Sequence, residues 1–137
     1  VEENMKINPV IFREYDIRGI VGTELIIQDV YRLGQAIMQY FASTGKTVKK
    51  IAIGMDGRLH SAAINNELSR AVRDAGIDVQ FIGLCTSPAL YFALHTRADL
   101  DGGLMITASH NPQEYNGIKI CLEKRSVWGD EIRAIKD

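Results

Sequence analysis

Apolar residues recur at helical spacing over 28–43, where Val30, Leu33, Gly34, Ile37, Met38 and Phe41 make one face. Asp29 stands where an N-cap would, and Gly45-Lys46 close the segment. A second face of this kind, Ile64, Leu68, Ala71, Val72 and Ala75, spans 61–75, with Ser61 as its expected cap and Gly76 as its stop. Between the two, the short apolar run 51–55 is bounded by lysines and by Asp56-Gly57 and reads as a buried strand. Residues 77–83 alternate in part, as a strand does, and Ser87-Pro88 opens a third helix reaching about Thr96. The run 102–106 is a further strand, 117–122 returns antiparallel beside it, and 129–136 starts a last helix. Strands alternating with helices of these lengths predict an α/β protein: a three-layer α/β/α sandwich on a mixed, mostly parallel sheet.

Composition narrows this picture without redirecting it. At 137 residues, 46% hydrophobic and 24% charged, the chain fits one ordinary globular domain over 1–137. A net charge of -1 gives no general attraction to nucleic acid or anionic lipid, so neither is an expected partner. No apolar run approaches the ~20 residues that cross a bilayer. Val1-Glu2-Glu3-Asn4 lacks the basic and apolar parts of a signal peptide, which leaves a cytoplasmic protein as the expectation. Cys85 and Cys121 lie in or beside apolar runs and are expected as buried, reduced thiols.

The candidate chemistry gathers where strands end. In a sheet of this kind the loops at the carboxyl ends of the strands line the binding crevice. Asp56-Gly57-Arg58, Thr86-Ser87-Pro88 and Thr107-Ala108-Ser109-His110-Asn111-Pro112 all hold that position. A hydrolytic serine would need a base that reaches it, and His110 is its chain neighbour; no Gly-x-Ser-x-Gly elbow surrounds it either. A phosphorylated Ser109 suits the setting better. It would carry ~1.5 to 2 negative charges, to be met by loop N–H groups, the His110 ring and Lys119. Ser, Asn and Pro also make ordinary surface turns, and Lys119 on an edge strand can simply be solvated. Lys119 should point away from Ile118 and Ile120 because a strand alternates faces. Arg18-Gly19 could grip an anion or belong to a plain N-terminal strand with surface ion pairs. Asp56-Gly57-Arg58 resembles a phosphate loop but lacks its Gly-Lys-Ser/Thr, and a turn accounts for it. Glu14, Asp16 and Asp56 form no metal-ligand pattern.

Phe12-Arg13-Glu14-Tyr15-Asp16-Ile17-Arg18-Gly19, Asp56-Gly57-Arg58, the 107–112 block and Tyr115-Asn116-Gly117-Ile118-Lys119-Ile120 occur in that order. Together they resemble the first domain of the α-D-phosphohexomutases, in the phosphomannomutase/phosphoglucomutase branch, over about residue 10 to the end. The resemblance implies that Ser109 is the phosphorylated residue. It would exchange its phosphoryl group with hexose 1- and 6-phosphates of glucose or mannose through a bisphosphorylated sugar. It implies that Lys119, Arg18 and His110 assist that transfer, and that Tyr15, Arg18 and Asn111 lie near substrate. It implies a Mg²⁺ held in part by the phosphate of Ser109, and glucose 1,6-bisphosphate as activator. The family's later domains, with their metal-binding aspartates and sugar-recognition loops, are absent here. The expectation is therefore a domain that works with the remainder of its own full-length chain and is inactive alone. A non-catalytic module that binds sugar phosphates or a protein is the alternative the residues leave open.

Overall fold

The computed structural model describes residues 7–136; the N-terminal tetrapeptide read above lies outside them. Five strands form the main sheet: β1 (Ile17–Ile20), β2 (Lys50–Met55), β3 (Asp78–Leu84), β4 (Gly102–Ile106) and β5 (Tyr115–Leu122), in the order β1-β5-β4-β2-β3. A short β6 (Arg125–Ser126) pairs with β5 across a tight turn. β2 is parallel to β3 and β4, while β5 is antiparallel to both β4 and β1. Four of the five strands thus point one way and β5 is reversed, which is the mixed, mostly parallel sheet the sequence predicts.

Alternation along the strands decides the layers. Ile51, Ile53, Leu104, Ile106, Ile118 and Ile120 face a large core with α1 (Val30–Ser43), α2 (Ser61–Asp74) and α4 (Asp130–Lys136). Ala52, Met105 and Cys121 face the other way, against Leu90 and Leu94 of α3 (Ser87–Thr96). Helices therefore cover both faces. α1 and α2 approach closely because Gly34 has no side chain: a Cβ there would stand 2.7 Å from Ala71 Cβ. Among the described residues no helix is long and apolar enough to cross a membrane.

Three expectations change in detail. Asp29 precedes α1 but its side chain makes no capping bond, because a 3-10 turn over Ile27–Asp29 leads into the helix. Ser61 is the first residue of α2 rather than its cap, and its hydroxyl is spent on Asp56. Cys121 is buried but Cys85 only half so; both are free thiols, and burial raises the pKa of each.

Candidate active site

The register brings the polar loops together. Met55 lies between Leu84 and Ile106, so the loops following β2, β3 and β4 leave the sheet side by side. β1 joins them from the other side through β5, where Arg18 pairs with Gly117. Gly117 is required at that crossing. A Cβ would overlap the Ile17 carbonyl oxygen and stand 3.1 Å from both Arg18 Cα and the Thr107 carbonyl oxygen.

Ser109 is exposed at the tip of the β4–β5 connection, with φ of 53°, a left-handed conformation uncommon for a residue with a Cβ. What holds it there is a chain of directed hydrogen bonds. Asp56 accepts from the Thr107 hydroxyl at 2.7 Å and the Ser61 hydroxyl at 2.9 Å. It also accepts from the Arg58 backbone N–H and Arg58 Nε, each at 3.1 Å. Since both hydroxyls donate to the carboxylate, each has a lone pair left to accept. Thr107 accepts from the Ser109 N–H at 3.0 Å, and Ser61 from Asn116 Nδ2 at 3.1 Å. Asn116, fully buried, uses its Oδ1 on the Gly117 N–H at 2.8 Å. Arg58 closes the structure. Its Nη1 donates to the carbonyls of Pro112 and Tyr115 at 2.7 and 3.2 Å, its Nη2 to those of Ser109 and Asn111 at 3.0 and 2.9 Å.

This network corrects one expectation. The N–H of Ser109 goes to Thr107 and that of Asn111 to the Ala108 carbonyl, so these two loop amides are not free to cradle a phosphate. The cations must carry more of that task. Arg18 donates to Asn111 Oδ1 at 2.6 Å and pairs with Asp16, tying the N-terminal block to the serine loop. Its buried Nε has no acceptor.

Lys119 faces the α3 side of the sheet, opposite Ile118 and Ile120, and is half-buried. Its ammonium makes no hydrogen bond or ion pair among the described residues. With Tyr15, Tyr91 and Trp128 it lines a cavity of about 380 Å³, over which Tyr15 and Trp128 stack with centroids 6.5 Å apart. The structure thus brings Arg18 to Asn111 and Tyr15 to Lys119. His110 is exposed and makes no hydrogen bond or ion pair with the others.

Burial alone would raise the pKa of Asp56. The hydrogen bonds from Thr107, the Arg58 backbone, Ser61 and the Arg58 guanidinium outweigh it and hold the carboxyl below its ordinary 3.8. A depressed folded-state pKa gives stability that is whole above 3.8 and is lost as pH falls through the folded value. Asp56→Asn should accordingly cost about 2 kcal/mol at neutral pH, a difference that closes as both proteins are taken to acid. Urea denaturation of wild type and variant at pH 7 and pH 3 checks this; an equal gap at both would contradict it.

The chain is similar to known proteins. A family model described as phosphoglucomutase/phosphomannomutase, alpha/beta/alpha domain I, matches residues 9–137. The chain belongs to that family, as its domain I. A phosphoglucomutase of Neisseria gonorrhoeae is 41% identical over 125 residues, covering 91% of this chain and 26% of that protein. A phosphomannomutase of Vibrio cholerae is 39% identical over 131 residues, covering 92% and 28%. The crystal structure of a phosphoglucomutase/phosphomannomutase family protein from Burkholderia thailandensis superposes with a TM-score of 0.82 at 31% identity, over 91% of this chain and 28% of that one. The chain thus spans about a quarter of the length of these relatives.

Among the described residues no three His, Cys, Asp or Glu side chains are grouped to hold an ion, and the carboxylate of Asp56 already accepts four hydrogen bonds. These residues do not by themselves fit a Mg²⁺ ion. A phosphate on Ser109 would offer it one oxygen ligand.

Proposed function

We propose that this domain carries the phosphoryl group of a phosphomannomutase/phosphoglucomutase on Ser109 and passes it to and from hexose phosphates, in concert with the rest of its full-length chain. The observation that carries the reading is an exposed serine held left-handed by a network of directed hydrogen bonds, in a loop that Arg18 reaches through Asn111, with Lys119 on the adjacent strand making no hydrogen bond or ion pair among the described residues.

Phosphoryl transfer asks for position and charge neutralisation more than for covalent activation. In the forward half, the hydroxyl of a hexose 1-phosphate attacks phosphorus in line. The bond from phosphorus to Ser109 Oγ breaks, a bond to the sugar oxygen forms, and the proton of the attacking hydroxyl ends on Ser109. Arg18 neutralises equatorial oxygens, and Lys119 balances the charge and assists the proton's passage. Tyr15 and Asn111 contact the sugar phosphate. The bisphosphorylated hexose then presents its other phosphate, and the serine is rephosphorylated. His110, exposed and making no hydrogen bond or ion pair among the described residues, can turn toward a phosphate on Ser109. Glucose 1,6-bisphosphate would load the serine in the first instance by the same chemistry.

A chase tests this. Full-length protein loaded with phosphate on Ser109 and mixed with glucose 1-phosphate or mannose 1-phosphate should lose that phosphate as the hexose bisphosphate appears. With an isotopic label on that phosphate, retention of the label on Ser109 while sugar turns over would contradict it. The faster of the two sugars identifies the preferred substrate.

A further inference from the structure

Arg58 stands within the phosphoserine site and would be taken for a phosphate ligand by charge and place. Its hydrogen bonds say otherwise. A guanidinium has five N–H donors, and all five are spent: Nε on Asp56, two on the carbonyls of Pro112 and Tyr115, two on those of Ser109 and Asn111. Four of the five grip backbone oxygens of one connection, and one of these belongs to the reacting serine itself. To contact a phosphate, Arg58 would have to release the loop that presents it.

We propose that Arg58 is a positioning residue for phosphoryl transfer. Its guanidinium, oriented by Asp56, fixes the backbone of the Ser109 loop and leaves the phosphate's charge to Arg18 and Lys119. The contrast with Arg18 is internal to the structure. Arg18 donates to the side chains of Asn111 and Asp16, whereas Arg58 spends four donors on backbone carbonyls. The planar fork explains why arginine is needed. Three tetrahedrally arranged donors on a lysine cannot satisfy four carbonyls and a carboxylate that lie around a plane. Freed carbonyls would let Ser109 relax from φ of 53°, and a misplacement of about 1 Å can cost on the order of 100-fold in rate.

The proposal rests on Ser109 as the phosphoryl carrier, so the experiment separates the two. In the full-length protein, wild type is first shown to take phosphate on Ser109 from glucose 1,6-bisphosphate; if it does not, the carrier reading fails and not this one. Single-turnover transfer to hexose phosphate is then compared with Arg58→Lys. A variant that only folds less well loses amplitude and keeps its rate constant. A positioning role predicts a rate constant lower by about 100-fold with KM within about threefold of wild type, since the substrate's own contacts remain. Arg58→Gln, which keeps one amide donor group and loses the fork, should show the same signature and serves if the lysine variant does not fold. A wild-type rate constant in either folded variant, or a loss confined to KM, overturns the proposal.

Discussion

Ser109→Ala in the full-length protein should lower mutase turnover by at least about 1,000-fold, because the residue that carries the phosphoryl group cannot be replaced by its neighbours. His110 adjoins it but makes no hydrogen bond or ion pair with the other site residues. The loss should lie in turnover, with binding of hexose phosphates little altered. The backbone adds a second, sharper expectation. Ser109 sits at φ of 53°, where a Cβ costs roughly 1 kcal/mol and glycine costs nothing comparable. Ser109→Gly should therefore be as inactive as the alanine variant yet no less stable than wild type. Steady-state kinetics beside urea denaturation separates the hydroxyl from the geometry. An active glycine variant would show that the hydroxyl is not the acceptor.

Gly117→Ala should destabilise the domain by about 3 kcal/mol, near the upper range for an added methyl in a packed interior. The new Cβ meets the Ile17 carbonyl oxygen, the Arg18 Cα and the Thr107 carbonyl oxygen. All three are backbone, which cannot turn aside as a side-chain end can. Relief requires β1 to move off β5, and Arg18 moves with it. The hydrogen bond from Arg18 to Asn111 should then weaken, so activity falls further than the unfolded fraction accounts for. A urea midpoint equal to wild type would contradict the account of this crossing. Wild-type turnover in the folded variant would sever the link between β1 and the serine loop.

Much of the fold is legible in the hydrophobic pattern because the core-facing residues of α1 and α2 recur at the helical period, and β2 and β4 are short apolar runs buried on both faces. What the pattern misses lies where long-range polar contacts replace burial. Ser61 has the residue type of a cap, yet its hydroxyl answers Asp56 five positions back. Asp56-Gly57-Arg58 has the composition of a turn, and as a turn nothing more is needed of it. Its bonds to Thr107 and to the carbonyls of 109–115 cross some fifty residues of chain, a distance no local spacing encodes. One signal was available: Thr107, Asn116 and Ser61 are polar residues inside or at the edge of apolar runs, and each is buried. Buried polar groups must find partners, so three of them near one sheet edge already imply a network. The orientation of Lys119 was readable because strand alternation is a local rule. The partnerless Nε of Arg18 was not, since it depends on where Asp16 and Asn111 fall.

The most direct test of the central claim is the mass of the full-length protein before and after incubation with glucose 1,6-bisphosphate, with the modified peptide mapped. One added phosphate, located on Ser109 and removed by hexose 6-phosphate, is the predicted result. A full-length protein that interconverts hexose phosphates with Ser109 never phosphorylated would contradict it.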